Sequence, residues 1–182
     1  MARGRDILTV GHSNHGEKEF LELLRGAGVT ALADVRVYPR SRFEHFNRSA
    51  LAGSLEAAGI HYLYLGEQLG GRREPLPDSL NGAWDEEAFR GYADHMASEQ
   101  FAAGLGRLEE LAAERRVAVM CAEGDWRHCH RRLLADALVA RGHTVLHLAP
   151  DGGVSDHELT DSAVVGADGT ITYPEVQTSL DL

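Results

Sequence analysis

Short apolar runs alternate with stretches of helical periodicity along most of this chain. That alternation limits the fold more than any other feature. Residues 7–10, 29–37, 60–65, 116–121 and 144–148 read as strands. Between them, residues 17–27 carry Phe20, Leu23 and Leu24 at helical spacing and stop at Gly28. Residues 49–58 carry Leu51 and Leu55 on one face and stop at Gly59. Residues 85–113 read as two helices broken near 101–104, and residues 128–141 as a further helix. Strands and helices in this order predict an α/β fold, a largely parallel sheet with helices on both faces.

Residues 66–81 are rich in Gly, Pro and charge and read as a long loop, a kind of segment often tied to function or motion. Beyond Asp151 the helical periodicity is lost, and Asp168-Gly169 offers a hairpin turn within residues 163–173. With no internal repeat and no linker, residues 1–182 read as one domain, a core over about 7–148 and a C-terminal extension over 151–182. A hydrophobic content of 43% is enough for an ordinary core.

The charge balance narrows the function. With 28 acidic against 18 basic residues the formal net charge is -10, which disfavours non-specific nucleic-acid binding. No apolar run approaches the roughly 20 residues that span a bilayer, so no membrane partner is expected. The N-terminal segment has an apolar stretch only at 7–10, too short for a secretory signal. Cys121 and Cys129 are the only cysteines, and they lie among histidines. They read as reduced thiols in a cytoplasmic protein rather than a structural disulfide.

In open parallel sheets, ligands collect outside the carboxyl ends of the strands. Four segments are expected to meet there: Gly11-His12-Ser13, Asp34-Val35-Arg36, Gly66-Glu67 and Cys121-Ala122-Glu123. Cys121 ends an apolar strand and precedes a helix, an arrangement that can lower a thiol pKa through the helix N-terminus, His128 or His130, and Arg127 or Arg131. Cys121 and Arg127 also have the C-x5-R spacing of loops that present a thiolate to phosphate. The plain alternative is a small buried residue ending a strand. Glu123 and His12 are candidates for orienting groups or for proton transfer. Arg131 and Arg132 open a helix where a cation opposes the dipole, so at least one is expected to serve a ligand or a buried carboxylate, with Asp34 the expected partner.

A second cluster interleaves Arg36, Arg40, Arg42 and Arg48 with Tyr38, Phe43 and Phe46. Arginine forks recognise phosphate or carboxylate, and aromatic rings stack on bases. A metal held by Cys121, Cys129 and His130 is a further alternative, although its spacing is not that of a tight zinc motif.

Thr9-Val10-Gly11-His12-Ser13, Asp34-Val35-Arg36 with Pro39 and Ser41, Tyr64-Leu65-Gly66 with Leu69-Gly70-Gly71, and Cys121-Ala122-Glu123 followed by Cys129-His130-Arg131 occur in this order. Together they resemble the bacterial family named domain of unknown function 488, over about residues 7–148. The chain is more loosely similar to rhodanese-like domains, which have an early Asp-Val-Arg and a cysteine loop between strand and helix. That likeness implies a rhodanese-like or Rossmann-like three-layer fold. Rhodaneses transfer sulfur through a cysteine persulfide, but the loop here is longer and carries Glu123 and Asp125.

The leading expectation is a cytoplasmic enzyme acting on a small anionic or nucleotide-like molecule. Cys121, Glu123 and His12 would be catalytic, and Ser13, Asp34, Arg36, Arg40, Arg42, His130 and Arg131 would bind substrate. No cofactor is called for beyond the metal alternative. The rival expectation is a non-catalytic module that binds nucleic acid or a nucleotide through residues 36–48 and the 66–81 loop.

Overall fold

The computed structural model describes residues 4–176, so residues 1–3 and the end of the C-terminal extension (177–182) lie outside the described residues. Six strands form the main sheet: β1 (Asp6–Gly11), β2 (Ala31–Asp34), β3 (His61–Tyr64), β4 (Val117–Cys121), β5 (Thr144–Leu148) and β6 (Val154–Asp156). Their order is β3-β2-β4-β1-β5-β6, parallel throughout except for the antiparallel β5–β6 edge. Six helices accompany them: α1 (Glu17–Gly26), α2 (Arg48–Ala57), α3 (Gly66–Leu69), α4 (Glu87–His95), α5 (Glu99–Glu114) and α6 (Arg131–Ala140). The result is a three-layer α/β fold.

Strand alternation sends side chains to two separate cores. Leu8, Val10, Leu32, Ala118 and Met120 pack with Phe20, Leu24, Leu51 and Leu55 of α1 and α2. Ile7, Ala31, Ala33, Val117, Val119 and Val145 pack against α4, α5 and α6. Because both faces are covered, the strands read as nearly continuous apolar runs. Cys121 shares parity with Val117 and Val119, Thr9 with Ile7, and His147 with Val145. All three therefore face the α6 layer.

The connections place the strand ends. The β1–β2 and β2–β3 crossovers run through α1 and α2 on one face, while those into and out of β4 run through α4, α5 and α6 on the other. β4 lies between β1 and β2, so the crossovers diverge at its carboxyl end, where an open α/β sheet forms its crevice. The register pairs Gly11 with Cys121 there.

Several boundaries differ from the sequence expectation, among them the second strand, expected over 29–37 and confined to Ala31–Asp34. The break between α4 and α5 falls at residues 96–98 rather than near 101–104, because the Ser98 side chain accepts the Phe101 N–H at 3.1 Å and starts a new helix. Gly104 lies inside α5, where a Cβ would run into Gln68 and Leu69, so this glycine permits close packing against α3. Helix α6 begins at Arg131 rather than His128. Residues 126–128 form a separate 3-10 turn, with the Asp125 carboxylate accepting the Arg127 N–H. The 66–81 segment contains α3 and is then pinned to α4, since Asp94 accepts from Leu76 N, Ser79 Oγ and Asn81 Nδ2. The expected hairpin forms from β7 (Val164–Val165) and β8 (Ile171–Thr172), turning at Gly169 with φ +82°.

Candidate functional site

The shift in the start of α6 decides the site. Cys129 has extended backbone (φ -136°, ψ 167°) just ahead of the helix and turns back toward the end of β4. Its Sγ lies 3.1 Å from Cys121 Sγ, and both cysteines are free. Arg131, only 1% exposed, reaches under the pair. Its Nε–H donates to Cys121 Sγ at 3.0 Å and to Cys129 Sγ at 3.3 Å, and its backbone N–H donates to Cys129 Sγ at 3.2 Å. The remaining guanidinium donors go to Thr9 Oγ1 (3.2 Å) and to the Glu123 carbonyl oxygen (2.6 Å).

These contacts divide the two thiols. The Cys129 thiol is held down, to about 6, first by the hydrogen bond from Cys121, then by the Arg131 charge and N–H groups, which together outweigh burial. Burial pushes the Cys121 thiol well up, and it keeps its proton beside the anionic sulfur. The contacts favour one anionic sulfur accepting from the other thiol, at the N-terminus of α6 where the helix dipole also favours an anion. Arg131 keeps its charge because, although burial opposes it, the two sulfurs more than offset the cost.

A cavity of about 320 Å³ opens onto this pair, lined among others by Arg36, Tyr38, Arg40, Arg72, Cys121, Glu123, Cys129 and His130. Arg40 and Arg72 are exposed at its mouth, and Arg72 stacks over Tyr38 at 5.3 Å. A larger cavity of 490 Å³ lies between α1 and the turn after β5, and neither a thiol nor an arginine lines it.

The other expected residues divide sharply. Asp34 and Arg36 form a buried fork, with Arg36 Nε and Nη2 donating to Asp34 at 2.9 and 2.8 Å. Arg36 N–H also donates to Asp34, at 3.2 Å, and Tyr62 O–H adds a fourth bond at 2.6 Å. The partner of Asp34 is thus Arg36, and Arg131 serves the thiols instead. Arg36 Nη1 is taken up by the Phe46 carbonyl at 2.8 Å, with His12 Nε2 at 3.4 Å. His12 stacks on Phe46, and its pKa is lowered to about 4, chiefly by burial. It is neutral, and it is absent from the cavity lining. Ser13 lies nearby in a left-handed turn (φ 47°), bound through its N–H to the Ala122 carbonyl.

Glu123 reaches the thiols through its backbone carbonyl, while its carboxylate accepts from Asp125 N. Arg127 pairs with Asp125 at 3.2 Å and lies over Trp126, so the arginine of the C-x5-R spacing does not serve Cys121. Arg42 is exposed over Phe43, and Arg48 over Tyr64, both outside the cavity. The His130 ring packs on Tyr92, with centroids 5.1 Å apart, and is held neutral mainly by burial. Among the described residues no group of three or more His, Cys, Asp or Glu is placed to hold a metal, so Cys121, Cys129 and His130 do not form such a cluster. Among the described residues, no helix is long and apolar enough to cross a membrane.

Sequence reasoning passed over a buried line of polar groups behind the thiols. Thr9 Oγ1 meets His147 Nδ1 at 2.6 Å, His147 Nε2 meets His157 Nδ1 at 2.9 Å, and His157 Nε2 meets Asp136 Oδ1 at 2.7 Å. Tyr173 O–H closes the line on Asp136 Oδ2 at 2.7 Å. His147 is lowered to about 3, mainly by burial and then by His157, and Trp126 stacks on its ring at 3.9 Å. One assignment satisfies every atom. Arg131 donates to Thr9, Thr9 to His147, His147 to His157, and His157 to Asp136. The one available signal was Asp136 itself, an acidic residue within the apolar Leu133-Leu134-Ala135-Asp136-Ala137-Leu138 face.

Gly11 shows how tightly the loop is seated. A Cβ there would fall on the Glu123 carbonyl oxygen, the acceptor of Arg131 Nη2. Gly11→Ala is expected to lower stability by about 1–3 kcal/mol, read from urea midpoints at unchanged m-value. A midpoint equal to that of the parent would mean that the loop yields without cost.

An α/β domain with two thiols at the end of its middle strand is the class that fold and site define. A family model described as Domain of unknown function DUF488 matches residues 17–138, and the chain belongs to that family. No curated protein and no solved structure matches the chain.

Proposed function

We propose that this protein is a cysteine-thiolate enzyme acting on a small anionic molecule, with Cys129 as the attacking sulfur. The observation that carries the reading is the 3.1 Å approach of Cys121 to Cys129 with Arg131 donating to both sulfurs. Both cysteines line the cavity, but Cys121 is only 3% exposed as a residue while Cys129 is part-exposed, which favours Cys129 as the sulfur a ligand meets first. Arg40 and Arg72 supply positive charge at the mouth of a chain that is acidic as a whole, which favours an anion at this point. Arg36 keeps one wall rigid, since its donors are already committed to Asp34 and Phe46. The cavity volume is at the small end for ligand sites, which suits a small molecule better than a polymer.

The test is the pH dependence of alkylation by neutral iodoacetamide, with the modified residue located by mass spectrometry. The thiolate fraction grows as pH rises through the pKa. Labelling of Cys129 is therefore expected to reach half its plateau rate near pH 6 rather than near the ordinary thiol value of about 8.5. Anionic iodoacetate is expected to gain on iodoacetamide relative to a free thiol, because of Arg40 and Arg72. A midpoint near the ordinary value, or labelling first at Cys121, would overturn the assignment.

A further inference from the structure

The second sulfur determines what kind of substrate a Cys129 thiolate can serve. Within the loop the N–H groups of Asp125, Arg127, His128 and Cys129 are spent on local acceptors, and Cys121 Sγ is approached by Cys129 Sγ, Arg131 Nε and the Glu123 carbonyl. A covalent adduct on Cys129 would also sit against a thiol 3.1 Å away. For an adduct bonded through sulfur, that neighbour is the group that resolves it.

Resting on the thiolate reading above, we propose that Cys121 and Cys129 form a dithiol–disulfide couple whose substrate is a small anionic disulfide. Cys129 S⁻ attacks one sulfur of RS–SR, the S–S bond breaks, and RS⁻ leaves with the electron pair. The Cys121 proton passes to that leaving thiolate. Cys121 S⁻ then attacks the Cys129 sulfur of the mixed disulfide, and the second RS⁻ leaves. The pair is oxidised by two electrons to a Cys121–Cys129 disulfide, and the substrate is reduced to RSH and RS⁻. Small thiols return the dithiol by the reverse steps. Closing the pair requires the sulfurs to approach by only about 1 Å, to the roughly 2.05 Å of a disulfide.

Arg131 also sets the direction of the couple. In the reduced state it faces a thiolate, whereas in the oxidised state it is a buried cation with that acceptor neutralised. Stabilising the reduced form makes the disulfide oxidising and readily reduced.

The experiment exposes the dithiol protein to excess glutathione disulfide at pH 7, quenches with acid and reads the intact mass. The wild-type protein is expected to lose two hydrogens and keep no adduct, while Cys121→Ser holds one glutathione on Cys129. Cystamine, a cationic disulfide, is expected to react about tenfold more slowly, and Arg40→Glu with Arg72→Glu to remove that preference. A stable glutathione adduct on the wild-type protein would overturn the couple, because Cys121 would not be resolving it. So would unmodified protein whose Cys129 still alkylates near pH 6, an outcome that leaves the thiolate reading intact. Absence of low-pH alkylation would remove both readings. Equal rates with the two disulfides would overturn the anionic preference. The wild-type measurements decide the matter even if a serine variant fails to fold.

Discussion

Arg131→Leu is expected to lower stability by about 3–5 kcal/mol and to raise the pH midpoint of Cys129 alkylation toward the ordinary thiol range. Leucine fills much of the volume, so the loss comes from the unmet partners rather than from a void. It leaves the Cys129 sulfur without its cation, the Thr9 hydroxyl without its donor, and the Glu123 carbonyl with only the long contact from Cys121. Exchanging a whole buried ion pair for apolar groups can be neutral, but removing one partner leaves the other uncompensated. Arg131→Lys separates charge from shape. It keeps the cation but cannot reach two sulfurs, a hydroxyl and a carbonyl from one nitrogen, so it is expected to retain part of the lowered thiol pKa and little of the stability. Urea unfolding and the alkylation profile, read together, check both effects. A leucine variant as stable as the parent, with its profile unmoved, would show that the guanidinium holds nothing.

How far the sequence led depended on how local the information was. The apolar runs marked five strands of the main sheet because each strand is self-contained. β6 escaped notice, for it is three exposed residues at the edge. Cys121 could be placed at a strand end from its own neighbours. Cys129 could not, since the Cys-His-Arg run reads as part of the helix unless the Asp125 turn is seen to come first. One residue of phase decides whether that sulfur points into the core or back at Cys121. Asp34 and Arg36 were both singled out, yet their mutual fork was missed because Arg131 stood as the more conspicuous unexplained cation. The line from Thr9 to Tyr173 joins residues 138, 10, 21 and 37 positions apart, and no pattern within a window carries such pairings. Only Asp136, a charge on an apolar face, announced that something buried would answer it.

Asp136→Asn is expected to lower stability by about 2–3 kcal/mol, since it replaces an acceptor with a group that donates on one side. Asp136, wholly buried, accepts from His157 Nε2, Thr160 N and Tyr173 O–H. An asparagine amide has one oxygen to offer: kept on His157 and Thr160 it makes the Tyr173 hydroxyl reverse to accept from the N–H₂ group, and turned to Tyr173 it leaves His157 Nε2–H and Thr160 N–H facing that group. Tyr173→Phe is the milder comparison, removing a single hydroxyl at a cost of about 1 kcal/mol. If the line only fastens the C-terminal segment to the sheet, both variants will lose stability and leave the thiols alone. The hydrogen-bond order predicts a difference. Asp136 fixes His157, His157 fixes His147, and His147 Nδ1 accepts the hydrogen bond of the Thr9 hydroxyl, so that the Thr9 lone pair turns toward Arg131. Asp136→Asn, but not Tyr173→Phe, is therefore expected to raise the Cys129 alkylation midpoint, by less than Arg131→Leu does. A midpoint that stays near pH 6 in both variants would separate the line from the thiols and make it a staple alone. A midpoint that rises only with Asp136→Asn would make Asp136 a positioning residue acting on the sulfur pair through Arg131.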